Sequence, residues 1–292
     1  VLLDPFGWHP LAIAPRCPDG EVIDAIAISH THGDHLHWPS SLISAASSET
    51  PLIVPVVPRA NLLAPQDMLA LGTSLGQKTI ALPWYDTFTV GDIRIQALPF
   101  FGEQPTVDPP GPPEGLRSWG NCYRITTPQF SVMVMVDSGN DPMGRMEDVV
   151  RRSLAESGPV DVVTSCLREF LSPFFGGLST YFASVPFARM RELNRQRLDK
   201  TLPYTTAGPT AVGELCHVAK AKYFLPYAHG FAGFANPITD VGWGQGEPTE
   251  KEMSARVARR IQECGGTTSI VEWVPGASAH FDNGAIRIAP PL

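Results

Sequence analysis

Cysteine is sparse in this 292-residue chain. The five, Cys17, Cys122, Cys166, Cys216 and Cys264, are odd in number, widely spaced and never in a C-x-x-C pair. That excludes an iron–sulfur or structural zinc motif, so the thiols read as reduced packing residues and any electrons for a redox reaction must come from outside the chain. Positive charge is also short: the net charge is -7 and no stretch clusters Lys and Arg. A nucleic-acid surface needs concentrated positive charge to displace counterions, so nucleic acid is excluded as a partner. No apolar run is long enough to span a bilayer, and the first residues lack a basic stretch followed by an apolar core, which predicts no membrane contact and a cytoplasmic location. Histidine is unevenly placed, with none between His37 and His217 and four of the eight packed into residues 30–37.

With 43% hydrophobic residues, the chain can fill a substantial core. One compact α/β domain over residues 1–292 is expected. Residues 22–29 form a continuous apolar run, the pattern of a central strand covered on both faces. It leads directly into His30-Thr31-His32-Gly33-Asp34-His35. On an extended stretch residues i and i+2 point the same way, so His30 and His32 can share one ion. Gly33 turns the chain, aiming Asp34 and His35 at a second ion a few ångströms away, as in two-metal sites. The bland alternative, a polar loop with incidental histidines, fits poorly with this density of imidazole. These residues resemble the HxHxDH motif of the metallo-β-lactamase superfamily. The resemblance implies an αββα sandwich with a dinuclear centre at the carboxyl ends of its strands, without specifying the reaction.

The remaining chain supplies candidates in order. Asp4, at the end of a short apolar stretch, resembles a carboxylate that supports metal ligands from behind, or it simply caps a turn. Residues 38–46 and 59–71 are predicted helices, the second interrupted by Pro65, with a strand at 51–55 between them. Residues 87–90 and 93–98 alternate around Gly91-Asp92 as a hairpin. The second strand runs into Pro99-Phe100-Phe101-Gly102-Glu103, where hydrolytic members of the superfamily usually carry a histidine ligand, and Glu103 is the strong ligand available. Residues 104–115 hold five prolines and read as a stiff loop bordering the site. Strands at 121–126 and 130–136 follow, the latter ending in Asp137, which resembles the superfamily's bridging carboxylate. Asp141 competes for that role and is expected instead to cap a helix starting near Met143. A helix at 143–156 and a strand at 159–166 repeat the α/β alternation.

Residues 165–204 interleave aromatics with Gly176-Gly177 and Pro173, suggesting a lid or pocket wall inserted in the domain. The alternative is a packed helical subdomain or a homodimer contact. A helix at 210–222 and a strand at 223–227 lead to His229, which matches the last metal ligand, whereas His217 sits mid-helix beside Cys216. Residues 250–264 form an amphipathic helix whose Arg256, Arg259 and Arg260 read as a solvated face. Residues 271–275 and 285–288 are expected to close the sheet, with His280 in the terminal hairpin.

Assembled on the superfamily pattern, His30, His32 and Glu103 hold one metal, Asp34, His35 and His229 the other, and Asp137 bridges. Three carboxylates make this donor set harder than an all-histidine zinc site and shift the preference toward iron or manganese. That substitution resembles the dinuclear non-heme iron oxygenases of the chloramphenicol-biosynthesis β-hydroxylase type. The resemblance implies two iron ions, O2 as co-substrate, Glu103 and Asp137 at the catalytic centre, and hydroxylation of a C–H bond in an apolar, terpenoid- or polyketide-like natural-product intermediate. It also implies an external electron donor, a reductase or ferredoxin-like carrier. The alternative is a zinc- or manganese-dependent hydrolase of a lactone, thioester or phosphodiester.

Overall fold

The computed structural model describes residues 2–3, 22–30, 35, 46–58, 67–104, 107, 111, 114, 117–170, 186–199, 201–227, 248–273, 277–282 and 284–290. The chain divides into two compact units, one of residues 1–99, 118–130 and 273–292, the other of residues 100–117 and 131–272.

The first unit opens with β1 (Leu2–Leu3) and β2 (Ile26–Ala27), followed by β3 (Leu52–Pro55), helix α1 (Met68–Ser74) and β4 (Thr79–Leu82). The strands form a parallel sheet in the order β1-β2-β3-β4. The apolar run is therefore internal to its sheet, as its composition demands, although only two of its residues keep regular strand geometry. Residues 25–30 are all buried, and the Ile28 N–H donates to the Ile53 carbonyl at 2.9 Å. Asp67 caps α1 by accepting from the Ala70 N–H at 3.0 Å, so the helix runs past Leu71 to Ser74. Residues 36–45 and 59–66, which carry most of the two expected helices, lie outside the described residues.

The hairpin at Gly91-Asp92 forms between β5 (Thr87–Val90) and β6 (Ile93–Pro99), with Val90 opposite Ile93, and β7 (Asn121–Thr126) pairs antiparallel with β6. Ala25, Ala27, Ile53 and Leu82 of the parallel sheet pack against Ile95, Ala97 and Tyr123 of this antiparallel one. The other face of the parallel sheet buries Ile26, Ile28 and Val54 against Met68 of α1. Each fully buried aliphatic side chain of this kind contributes about 1.5–3 kcal/mol.

The second unit contains β8 (Ser131–Val136), the short strands β9 (Asn140–Asp141) and β10 (Gly144–Arg145), α2 (Met146–Ser157), β11 (Val162–Ser165), α3 (Phe187–Leu198), α4 (Gly208–Ala219), β12 (Tyr223–Pro226), α5 (Glu250–Glu263) and β13 (Ser269–Ile270). The order β8-β11-β12-β13 is parallel throughout, which requires the intervening helices as crossovers. Pro209 starts α4 in the position where its missing N–H costs nothing. Thr249 and Glu252 cap α5 reciprocally, and Met253, Val257 and Ile261 recur at four-residue intervals on its buried side.

Several expectations need correction. Helix α2 begins at Met146, because residues 140–145 first fold into the β9/β10 hairpin. Arg260 is not merely solvated: its guanidinium bonds Glu214 of α4 at 2.5 and 2.9 Å, which draws α4 and α5 together. The strand expected at 271–275 is β13 at Ser269–Ile270. Among the described residues the terminal strands β14 (Ser278–Asp282) and β15 (Ala285–Ala289) pair with each other and not with the main sheet. Among the described residues no helix is long and apolar enough to cross a membrane.

Candidate metal centre

His30 leaves β2 fully buried, its backbone bridged to Gly120 next to β7. Two contacts fix that arrangement: the Asn121 N–H donates to the Ser29 carbonyl at 2.7 Å, and Trp84 Nε1 donates to the Gly120 carbonyl at 2.9 Å. Ser29 Oγ lies 2.9 Å from His30 Nδ1. A hydrogen-bond partner of this kind is what selects the tautomer and ring orientation of a ligating histidine. Ser29 was not singled out from sequence, and only its position beside the first motif histidine could have pointed to it. His35 is also buried, and its ring centroid lies 4.2 Å from that of His30 at an interplanar angle of 41°.

The carboxylates sit on two backbone irregularities. Val136 and Glu103 both have positive φ, 49° and 51°, a conformation rare for any residue with a side chain and rarer still for a β-branched one. At Val136 the cause is visible: pairing between β8 and β11 slips at Thr164/Ser165, so Ser165 faces Val136 out of step. Such a bulge bends the strand end and re-aims the next side chain, here Asp137. The Cys166 N–H then holds the Val136 carbonyl at 2.9 Å. Strain of this sort costs about 1–3 kcal/mol per residue and persists where the surroundings over-determine it, commonly at functional sites.

Glu103 and Asp137 are both almost wholly buried. Both bear on Cys166: burial pushes its thiol well above the ordinary range, and the charges of Asp137 and then Glu103 push it further. The Phe101 carbonyl accepts from the Gly139 N–H at 2.5 Å, joining the two carboxylate-bearing segments directly. Gly102 is needed between them, since its φ is 151° and a Cβ there would lie 2.8 Å from the Gly139 nitrogen.

The first unit thus offers two buried imidazoles, His30 and His35, and the second two buried carboxylates, Glu103 and Asp137. Imidazole and carboxylate are donor types suited to a transition metal, and burying them costs far less with an ion present. Within its own unit each pair is brought together: the His30 and His35 rings are in contact, and the segments that carry Glu103 and Asp137 are joined by the Phe101–Gly139 hydrogen bond. His32, Asp34 and His229 lie outside the described residues, as does Asp4. His217 is exposed on α4, and His280 is exposed on β14.

Asp141 does not cap α2. Its Oδ2 accepts from the Gly102 N–H and from Gln104 Nε2, and its Oδ1 accepts from the Met143 N–H. Burial raises its pKa, opposed by those hydrogen bonds and by Arg117, whose Nη2 lies 3.8 Å away. The base of the aromatic segment is also anchored here. Phe170 N–H donates to Thr206 Oγ1, Thr205 N–H donates to the Phe170 carbonyl, and Ala207 N–H donates to the Ser138 carbonyl. Residues 171–185 of that segment lie outside the described residues.

Residues 1–163 match the family model described as the beta-lactamase superfamily domain. No curated protein matches the chain. Among solved structures it is similar to CmlA, a diiron beta-hydroxylase from Streptomyces venezuelae, with a TM-score of 0.62 and 20% identity over 99% of this chain and 50% of that one. A mutant form of CmlA gives a TM-score of 0.61 at 20% identity, over 99% of this chain and 49% of that one. Igni18, a metallo hydrolase from the hyperthermophilic archaeon Ignicoccus hospitalis, gives 0.50 at 10% identity, over 98% of this chain and 89% of that one. The chain spans about half the length of CmlA, and at these identities the likeness shows the fold. With the family model matched over more than half of its length, the chain belongs to the beta-lactamase superfamily and has the metallo-β-lactamase fold.

Proposed function

We propose that this chain is a dinuclear iron monooxygenase that uses O2 to hydroxylate a C–H bond of an apolar, terpenoid- or polyketide-like small molecule. The observation that carries the proposal is Glu103. It is a buried carboxylate in a left-handed conformation beside Asp137, where a hydrolytic member of the superfamily would be expected to present a histidine. A third carboxylate with Asp34 and Asp137 favours a metal that reaches higher oxidation states. Iron supplies the change of oxidation state that O2 activation demands and that zinc lacks. CmlA is by its own description a diiron hydroxylase, which agrees with the reading without carrying it.

The chain's residues divide the work. His30, oriented by Ser29, would hold one ion together with His32 and Glu103, and His35 would hold the other with Asp34 and His229. Asp137 would offer a carboxylate to both. Phe100, Val136 and Leu167, which flank the carboxylate segments, are buried and keep that side dry. Residues 165–204 are proposed to supply a wall or lid for an apolar substrate; of that segment, Phe170 bonds Thr205 and Thr206, next to Ala207, whose N–H holds the Ser138 carbonyl. Electrons come from a separate reductase or ferredoxin-like carrier.

A zinc- or manganese-dependent hydrolase is the second reading, since buried histidines and carboxylates such as His30, His35 and Asp137 are donor types that zinc also accepts. Metal content and absorption separate the two. The proposal expects two irons per chain, charge-transfer absorption that a zinc protein lacks, and O2 uptake that needs an electron donor. Zinc at full occupancy with hydrolysis of a lactone, thioester or phosphodiester overturns it.

A further inference from the structure

The two carboxylate segments meet at Asp141, by sequence a rival of Asp137 and an expected helix cap. Asp141 receives N–H groups from both sides of Glu103: Gly102 N–H at 3.1 Å and Gln104 Nε2 at 2.9 Å, both on Oδ2. Its other oxygen accepts from the Met143 N–H at 2.7 Å and closes the β9/β10 turn. Gln104 Nε2 also donates to the Gly102 carbonyl at 3.1 Å, clasping the segment from within. The Arg117 guanidinium stands 3.8 Å from Oδ2 and 5.8 Å from the centre of the Phe101 ring. The Asp141 side chain is wholly shielded, and both its oxygens are engaged by protein donors. It is therefore no competitor to Asp137 for metal.

We propose that Asp141 is a positioning residue: it holds Glu103 in its left-handed conformation and in register with Asp137, so that the two carboxylates are set for metal before an ion arrives. The inference rests on reading Glu103 and Asp137 as ligands. A free chain would relax Glu103 away from positive φ. The paired grip on residues 102 and 104 prevents that relaxation, and the Gly139–Phe101 hydrogen bond transmits the register to the Asp137 turn. A carboxylate is required because three N–H donors converge on it. The amide of asparagine offers one acceptor, so whichever way it is turned one contact becomes donor against donor.

The test uses Co(II) as probe on the full chain. Asp141→Asn is expected to lower Co(II) affinity of the folded protein by about 10- to 100-fold, as for loss of an outer partner of a metal ligand, and to shift the ligand-field spectrum. A purely structural role would lower the unfolding midpoint of the metal-free protein and leave both readouts unchanged in the folded fraction. Gln104→Met removes one donor at similar volume and is expected to cost roughly three- to tenfold in affinity even if Asp141→Asn fails to fold. If folded Asp141→Asn or, failing that, Gln104→Met binds Co(II) like the parent with an unaltered spectrum, the inference is overturned. Glu103→Ala serves as reference. Should it bind Co(II) like the parent, the ligand assignment itself is wrong and the inference falls with it; should it lose binding while the Asp141 and Gln104 variants do not, only the inference falls.

Discussion

Replacing Ser29 by alanine tests whether the buried hydroxyl orients the first motif histidine. Ser29 Oγ and His30 Nδ1 are 2.9 Å apart, and both residues are fully buried. The substitution removes one oxygen, so it opens almost no cavity and leaves the backbone hydrogen bond from Asn121 in place. What is lost is the partner that fixes the His30 ring and keeps Nε2 available. Loss of such a partner lowers metal affinity by about 10- to 100-fold, or about 1.4–2.8 kcal/mol. In the metal-free protein the loss of a buried hydrogen bond is worth about 1 kcal/mol, or about 2–4 °C in unfolding midpoint. Equilibrium dialysis against buffered metal, read by atomic emission, measures the first quantity and a thermal scan of the apoprotein the second. Ser74→Ala, at an exposed serine bonded to the Leu71 carbonyl, provides the reference. The reasoning is refuted if Ser29→Ala binds metal within twofold of the parent.

Glu103→His is expected to move bound metal from iron toward zinc when the protein is exposed to equal amounts of both, and an unchanged ratio in the purified protein would remove Glu103 from the ligand set. Gly102→Ala forces a Cβ to within 2.8 Å of the Gly139 nitrogen at a φ of 151°, so a loss of at least about 2 kcal/mol in chemical denaturation is expected, together with weaker metal retention. Asp161 gives a pH prediction. Burial on its own would raise its carboxyl, but the Lys222 ammonium and the Ser131 N–H outweigh that and hold it below its ordinary 3.8. A depressed carboxylate contributes stability above the unfolded pKa and loses it as pH falls through the lower folded value. The parent's unfolding midpoint should therefore drop as pH goes below about 3.8, and Asp161→Asn should flatten that segment of the curve; parallel curves would contradict the assignment.

The parts of the fold legible in sequence are those set by neighbours along the chain. Gly91-Asp92 between alternating strands dictates its hairpin, and the Thr249/Glu252 pair dictates where α5 starts. Asp141 shows the opposite case. Its place before Pro142 reads as a helix cap, yet its acceptors are taken by Gly102 and Gln104, 39 and 37 residues away, and α2 starts later. Arg260 likewise meets Glu214 across 46 residues, a pairing no local pattern encodes.

The sequence pointed to a metal centre and to where its first half would lie. Three imidazoles and a carboxylate in six residues after a buried run are a statement of spacing, and spacing is local. It also supplied Glu103 and Asp137 as strand-end carboxylates. The tertiary structure was needed to separate Asp137 from Asp141, because a pairing slip between β8 and β11 leaves Val136 left-handed and re-aims Asp137, while both Asp141 oxygens are taken by Gly102, Gln104 and Met143. It alone placed Glu103 beside Asp137, through the hydrogen bond between Phe101 and Gly139. Strand register and backbone strain are fixed by partners distant in sequence, and those partners come within reach only once the chain has folded.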